Sequence, residues 1–154
     1  MGSKNNKLIV NQLDNKLQKL YLLKDFTVPE GGWISLFRKT LNMSLRQLAE
    51  RLQMTIQGAS KIEKNEAEGA ITINTLRKAG EAMNLKLVYG FMPKDESLEK
   101  MVEQKAAEIA TRIVMRTSAT MKLEDQEISS QKIKESIEEL TEELKKEMPK
   151  SLWD

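Results

Sequence analysis

The sequence predicts a mainly α protein with one short β-strand and a helical C-terminal extension. Apolar residues recur at intervals of three and four through most of the 154-residue chain, which is typical of amphipathic helices. Residues 85–91 break this period, because their apolar side chains alternate and so predict a strand that ends before Pro93. Aromatic residues make up only 5% of the chain, so we expect a core built mainly from Leu, Ile, Met and Ala.

Residues 44–64 predict two short helices joined by a tight turn. Ser44 and Gln47 have the spacing of a capping box, which starts a helix that ends near Leu52. Thr55 is a favourable N-cap for a second helix, which is expected to run to the end of the stretch. Two helices joined so closely form a helix-turn-helix, whose second helix can lie in the major groove of DNA.

The pattern also predicts which side of each helix faces inward. The residues expected to be buried are apolar and share one side of the hairpin: Leu45, Leu48, Ala49, Leu52, Met54, Ile56, Ala59 and Ile62. A helical hairpin that packs in this way and binds nothing is the simpler alternative to a DNA-binding element.

Several polar side chains on or beside the second helix are candidates for DNA contacts. The candidate DNA-contacting residues are Arg46, Arg51, Thr55, Ile56, Gln57, Ser60, Lys61 and Lys64. Gln57 and Lys61 are expected to reach base edges, because Gln suits adenine and Lys suits guanine. Arg46, Arg51 and Lys64 are expected at phosphates, with ordinary solvation as the alternative. Among the residues that flank the base readers, Ile56 can contact a thymine methyl group if it is not part of the core.

Three residue pairs in this stretch, Leu48-Ala49, Met54-Thr55 and Ile62-Glu63, resemble the helix-turn-helix of Cro- and repressor-type (Xre) regulators. The resemblance implies a lambda-repressor-like fold for residues 31–84. It also implies that Arg38, on the preceding helix, pairs with the Glu that ends the recognition helix.

The chain departs from that family pattern at two positions. Leu45 stands where the family often has a Gln that contacts a phosphate, and Asn65 stands where a Gly usually closes the recognition helix. Because Asn also tolerates the left-handed conformation, it remains a suitable cap for this helix.

The flanking sequence predicts further helices. The expected helices are Lys7–Lys24, Trp33–Leu41, a helix capped by Thr72 or Asn74 that ends near Met83, Ser97–Thr117 and Lys132–Met148, with a polar linker over Thr117–Ser130. The expected organisation is an N-terminal helix and linker (residues 1–30), the helix-turn-helix domain (31–84), the strand (85–93) and a helical extension for dimerisation or partner binding (94–154).

Two of these elements admit two interpretations. The helix near the C-terminus has a narrow apolar seam and an acidic outer face, so it needs a partner surface, either the preceding helix or another protein. The alternating segment 85–91 either pairs as a strand with a second subunit or lies on the domain as an extended apolar tail.

Charge is distributed unevenly along the chain. Residues 31–94 contain ten Lys or Arg against five Asp or Glu, a net of +5, whereas residues 123–154 contain five Lys against ten acidic residues, a net of −5. A basic centre favours a phosphate-bearing partner such as DNA. The acidic C-terminal part is either a solvated helix face or a surface for a different partner.

The residue types that are missing exclude several classes of protein. The chain has no Cys and no His, so disulfides and zinc fingers are impossible, and an enzyme would lack the commonest general base. No cofactor or metal is therefore expected. No apolar run is long enough for a membrane span and the N-terminus lacks a signal-peptide pattern, so a cytoplasmic protein without membrane contacts is expected.

Several stretches outside the DNA motif resemble one Xre-type family across nearly the whole chain, the mobile mystery protein A family. The stretches that carry this resemblance are Gly32-Trp33-Ile34, Ile71–Arg77, Leu87-Val88-Tyr89, Ser97-Leu98-Glu99 and Met121–Gln126. In that family the gene lies beside one for a Fic-domain protein. The resemblance therefore implies an antitoxin-type partner for a Fic-domain toxin.

These observations favour a DNA-binding transcription regulator, an antitoxin-type repressor that binds an inverted repeat in double-stranded DNA as a homodimer. One helix-turn-helix makes few base contacts, and a two-fold dimer doubles them. The alternative is a protein-interaction module that sequesters a partner toxin and for which DNA binding is secondary. An enzyme is the least favoured class, because no catalytic constellation is visible in the sequence.

Overall fold

The computed structural model describes the backbone of residues 2–123 and 129–154. These residues form seven α-helices: α1 (Gly2–Leu17), α2 (Trp33–Thr40), α3 (Leu45–Arg51), α4 (Ile56–Ala67), α5 (Ile73–Ala82), α6 (Leu98–Leu123) and α7 (Ser130–Glu147). Two 3-10 helices, Gln18–Leu23 and Lys150–Trp153, complete the described elements. The chain divides into two compact units, Leu23–Gly90 and the remainder, and each is described separately below.

The four helices of the Leu23–Gly90 unit all end in the same backbone motif. The residue after each C-cap is left-handed, with φ of 52° at Asn42, 55° at Gln53, 73° at Gly69 and 60° at Asn84. At the end of α3, the Gln53 N–H donates to Glu50 O at 3.1 Å and the Met54 N–H to Ala49 O at 3.0 Å. This is the Schellman pattern, which satisfies the last carbonyls of a helix and reverses the chain within a few residues. This motif explains why only short turns separate the consecutive helices α2, α3, α4 and α5.

The core of this unit is small and lies among these four helices. Ile34, Leu48, Ala79 and Met83 are buried together, and half-buried residues such as Ile62 pack around them. Both Leu48 and Ala79 are fully buried. Helix α4 therefore packs on the core through one side only, which leaves its other side free.

The predicted end of the recognition helix needs correction. The helix does not close near Lys64 or at Asn65, because it continues to Ala67 and caps at Glu68. The physical reason is Gly69, whose φ of 73° supplies the left-handed residue that the end of the helix needs.

For α5, the structure selects Thr72 as the N-cap, with its hydroxyl accepting from the Thr75 N–H at 3.1 Å.

The predicted strand at residues 85–93 is wrong. No strand occurs in residues 2–123 or 129–154, so nothing described supplies the second half of a ladder. Instead, the Leu85 N–H donates to Gly80 O at 2.8 Å as part of the α5 terminus, and the Leu85 side chain packs on the core. The side chains of Val88 and Tyr89 are 71% and 66% exposed. The alternating apolar residues therefore belong to an irregular segment, and its first residue, Leu85, packs on the core of the unit.

The second unit contains α1, α6, α7 and the final 3-10 helix. Val102 and Ala106 of α6 form its buried core with Leu152, which is fully buried, and Leu144 and Met148 pack against them. The apolar seam of α7 is therefore covered by the preceding helix, one of the two partners that the sequence left open. Leu152 lies after Pro149 in a segment for which the sequence predicted no packing role.

Helix α6 is longer than the sequence predicted. It runs through Thr117 to Leu123, so at least the first part of the predicted linker Thr117–Ser130 is helical. The hydroxyls of Thr117 and Thr120 donate to the carbonyls one turn earlier, at 3.0 and 3.1 Å, and are satisfied without leaving the helix. Of the rest of that linker, residues 124–128 lie outside the described residues, as does half of the resemblance at Met121–Gln126, while Ser129 caps α7 and Ser130 is its first residue.

Helix α1 belongs to this second unit. Its helical turns begin at Gly2 and finish as the 3-10 helix Gln18–Leu23, where the sequence predicted one helix over Lys7–Lys24. The Asp14 carboxylate accepts from the Leu98 N–H at 2.8 Å and from the Glu99 N–H at 3.1 Å. An acidic group at a helix N-terminus satisfies free donors and complements the helix dipole, so Asp14 attaches α1 to the start of α6.

Candidate nucleic-acid interface

The start of α3 is fixed by a complete capping box. The Gln47 N–H donates to Ser44 Oγ at 3.1 Å, and the Ser44 N–H donates to Gln47 Oε1 at 2.8 Å. Helix α4 begins with a similar cap, in which Thr55 Oγ1 accepts from the Gly58 N–H at 3.0 Å. The two helices of the predicted helix-turn-helix are therefore present, and both caps that the sequence indicated form.

An ion pair holds the inner side of α4 to α2. Arg38 Nε donates to Glu63 Oε1 at 2.5 Å and Arg38 Nη2 donates to Glu63 Oε2 at 3.1 Å, while Nη1 donates to Met43 O at 3.0 Å. The two side chains are only 11% and 13% exposed. The hydrogen bond to Glu63 raises the pKa of Arg38 above its ordinary value and outweighs desolvation, which lowers that pKa. This pair satisfies a carboxylate with the fork geometry that Arg provides.

Glu66 makes a second attachment, which no local pattern in the sequence predicted. Its carboxylate accepts from the Trp33 N–H at 2.8 Å and from the Ile34 N–H at 2.9 Å, so it caps the N-terminus of α2. Gly32, with φ 82° and ψ 165°, allows this approach, because a Cβ at that position would lie 2.8 Å from Glu66 Cδ. Glu66 therefore faces α2, and its charge is held by helix donors.

The opposite side of α4 is open and polar. Thr55, Ile56, Gln57, Ser60, Lys61 and Lys64 are all exposed. Placing Met54 and Ile56 on the buried side was wrong, since they are 37% and 47% exposed. They lie at the turn and at the first residue of α4, ahead of Ala59, where the helix reaches the core. Ile56 is therefore accessible to a partner.

The two candidate phosphate ligands of α3 already have partners within the protein. Arg46 Nε donates to Glu50 at 3.0 Å in a pair whose side chains are 76% and 64% exposed. Arg51 Nη1 donates to the carbonyl of Ala82 at 3.1 Å, near the C-terminal end of α5. On α4, the Lys64 Nζ lies 3.8 Å from Glu68 Oε1 in another exposed pair. Exposed pairs of this kind are weak and exchange readily with water or phosphate.

Two other kinds of site are absent from the described residues. In the part of the chain that the structure describes, no group of three or more Asp or Glu side chains is placed to hold a metal ion. No helix in residues 2–123 or 129–154 is both long enough and apolar enough to cross a membrane.

Comparison with known proteins identifies the same segment. The helix-turn-helix family model, of the Xre or lambda-repressor type, matches residues 34–89, which contain α2 to α5 apart from Trp33. No curated protein and no solved structure matches the chain. Residues 34–89 are therefore a helix-turn-helix segment of the kind found in DNA-binding transcription regulators.

Proposed function

We propose that the protein is a sequence-specific DNA-binding regulator of transcription, with α4 as the recognition helix in the major groove. The observation that carries the proposal is the division of α4 into two sides. Arg38 and the main chain of α2 hold Glu63 and Glu66 on the inner side, and Gln57 and Lys61 are exposed on the other. A helix held rigidly with a polar side outward is suited to reading base edges.

The residues around the recognition helix supply the remaining contacts in this proposal. Gln57 and Lys61 read bases, Thr55 and Ser60 lie beside them, and Ile56 offers a methyl-bearing surface to thymine. Lys64, Arg46 and Arg51 contact phosphates. Because Arg51 also closes the end of α5 through Ala82, it contributes to the fold as well as to affinity.

A gel-shift experiment tests the reading roles. We expect Gln57→Ala and Lys61→Ala to lose about 1–3 kcal/mol of discrimination between the operator and random DNA. Lys78→Ala is the matched control, because Lys78 is an exposed lysine on α5 outside the candidate set. If Gln57→Ala and Lys61→Ala lose affinity equally on the operator and on random DNA, these side chains contact only phosphate. If the wild-type protein shows no preference for any DNA, the proposed function is wrong.

We further propose that the protein binds an inverted repeat as a homodimer. The support is geometric, since two recognition helices related by a two-fold axis reach half-sites about one helical turn apart. Sedimentation of the full chain, with and without a DNA duplex that carries the repeat, measures this directly. A protein that stays monomeric at micromolar concentration and binds one operator tightly would contradict the dimer.

A role as the antitoxin-type repressor of a Fic-domain toxin is supported only by the resemblance to the mobile mystery protein A family. Co-expression with a Fic-domain protein encoded by a neighbouring gene, followed by co-purification, tests it. A variant that carries both Gln57→Ala and Lys61→Ala separates this role from the alternative of pure sequestration. Rescue of growth by this variant would show that DNA binding is secondary, and loss of rescue would favour repression.

A further inference from the structure

An apolar groove lies on the Leu23–Gly90 unit, in addition to the exposed side of α4. It has a volume of about 250 Å³ and is walled by α2, α5 and the segment that follows α5. The groove-lining residues include Trp33, Phe37, Leu76, Met83, Lys86 and Val88. Phe37 remains 37% exposed and stands 6.1 Å from the Trp33 ring centroid, so an aromatic wall faces the solvent.

The size and chemistry of the groove restrict what it can bind. Pockets for small molecules usually enclose about 300–1,000 Å³, so this groove is better suited to one or two side chains of a protein partner. Its side-chain polar groups are the Trp33 indole and the Lys86 ammonium, and both of these are hydrogen-bond donors without acceptors. The occupant should therefore offer apolar surface, a hydrogen-bond acceptor and, for Lys86, an aromatic face or a negative charge.

The segment that forms one wall carries such a group. Tyr89 directly follows the lining residue Val88, and it is 66% exposed. Its ring provides a face for a cation, and its hydroxyl accepts a hydrogen bond. We propose that the groove takes the Tyr89 side chain of a second copy of this chain, and that the two copies exchange this contact across a two-fold axis.

A second copy would bring its own Tyr89, next to its own groove, so the proposed contact is self-complementary. In an isologous contact every residue that fills a groove on one copy has an equivalent that fills the groove of the other. Here Tyr89 of one copy meets Lys86 and Trp33 of its partner, and the reverse contact forms at the same time. The contact also covers Val88, which is 71% exposed in a single chain. It involves side chains and requires no strand.

The inference deepens the proposed function, because it names the surface that brings two recognition helices together. The surface does not include Gln57 or Lys61 on α4, so dimer formation and base reading can be changed separately. The lining residues from α2 and α5 belong to the same unit as α4, so fixing this surface also fixes the spacing between the two DNA-reading helices.

The test uses the full chain and four variants in sedimentation equilibrium without DNA. Tyr89→Arg places a cation against Lys86 in both symmetric contacts. If each contact loses about tenfold in affinity, the dimer dissociation constant rises roughly 100-fold. Lys86→Glu alone should also weaken the dimer, because it removes the cation that meets the ring. Combining Tyr89→Arg with Lys86→Glu should restore much of the affinity, since a new ion pair then forms across the contact.

Val28→Arg is the matched control, because Val28 is 68% exposed in the same unit and does not line the groove. It should leave the dimer dissociation constant unchanged. The inference is overturned if the wild-type chain is monomeric, if Tyr89→Arg behaves like Val28→Arg, or if the double variant shows no rescue.

A DNA measurement separates failure of this inference from failure of the proposed function. On a single half-site, Tyr89→Arg should bind as well as the wild-type chain, whereas on the inverted repeat it should bind at least tenfold more weakly. Equal binding of both proteins to the repeat would overturn the inference and leave DNA recognition intact. Absence of sequence-specific binding by the wild-type chain would instead refute the proposed function. Sedimentation without DNA would then be the only test of the dimer contact at the groove.

Discussion

Removing Arg38 should destabilise the helix-turn-helix unit far more than removing another arginine of the same region. In Arg38→Ala the Glu63 carboxylate loses two hydrogen bonds and the Met43 carbonyl loses one. Breaking a buried ion pair costs about 3–5 kcal/mol. Since both side chains retain some exposure, 11% and 13%, water can solvate part of the remaining charge. We therefore expect the lower limit, about 3 kcal/mol.

Thermal unfolding followed by circular dichroism measures this cost. A change of 1 kcal/mol shifts the melting temperature of a 60–100-residue domain by about 4–8 °C, so the unit should melt roughly 12–24 °C lower in Arg38→Ala. Arg46→Ala is the matched control, because its pair with Glu50 is 76% and 64% exposed and should contribute less than about 1 kcal/mol. The reasoning is refuted if the two variants melt at the same temperature.

A double-mutant cycle isolates the interaction itself. If Arg38 and Glu63 act as one unit, the combined variant Arg38→Ala with Glu63→Ala should lose less stability than the sum of the single losses. The difference should exceed about 1 kcal/mol, because the single variants each leave a charged partner behind. Additive losses would mean that the two residues stabilise the unit through separate contacts, such as the one from Arg38 to Met43.

Three further changes test the backbone and buried groups. Gly32→Ala should lower the free energy of unfolding in urea by at least about 2 kcal/mol, because only Gly adopts φ 82° and ψ 165° readily and a Cβ displaces Glu66. The control Gly31→Ala should be nearly neutral, because a Cβ at Gly31 meets open space. Gln53→Gly should raise the urea midpoint by the equivalent of about 0.5–1 kcal/mol, since it relieves a left-handed side chain. Tyr21→Phe should be neutral or stabilising near pH 7, because the Tyr21 hydroxyl is buried without a hydrogen-bond partner among the described residues. Burial, followed by the charge of Asp14, raises the Tyr21 pKa above 10.0, so the wild-type chain should lose stability as the pH rises above that value and Tyr21→Phe should lose less, as measured by chemical unfolding.

Local interactions were the part of the structure that the sequence predicted well. The Ser44 capping box and the Thr55 cap depend on residues three positions apart, so their spacing is visible in the sequence and both form. The residues that attach one helix to another were harder to identify. Asp14 caps α6 across a separation of 84 residues, and Glu66 caps α2 across 32. No local pattern distinguishes such carboxylates from solvated ones.

The prediction of a strand at residues 85–93 was wrong for a related reason. Alternation of apolar side chains describes which side chains can share one face, but a strand also needs a neighbouring strand to accept its backbone hydrogen bonds. The alternation contains no sign that the Leu85 N–H donates to the end of α5. Similarly, the spacing of apolar residues indicates the seam of α7, but it does not show that Leu144 packs against the core of α6.

The arrangement of α4 explains how a helix with two acidic residues on one side can still approach DNA. Ala59, Glu63 and Glu66 follow the spacing of one helix face, and Gln57, Lys61 and Lys64 follow the spacing of another. Each inner carboxylate is neutralised locally, Glu63 by a guanidinium and Glu66 by the N-terminus of α2. The outer side therefore presents a net positive charge to phosphates. Substitution of an inner residue should lower binding to every DNA sequence through the loss of fold. Substitution of Gln57 or Lys61 should instead change the preferred sequence while the melting temperature stays constant.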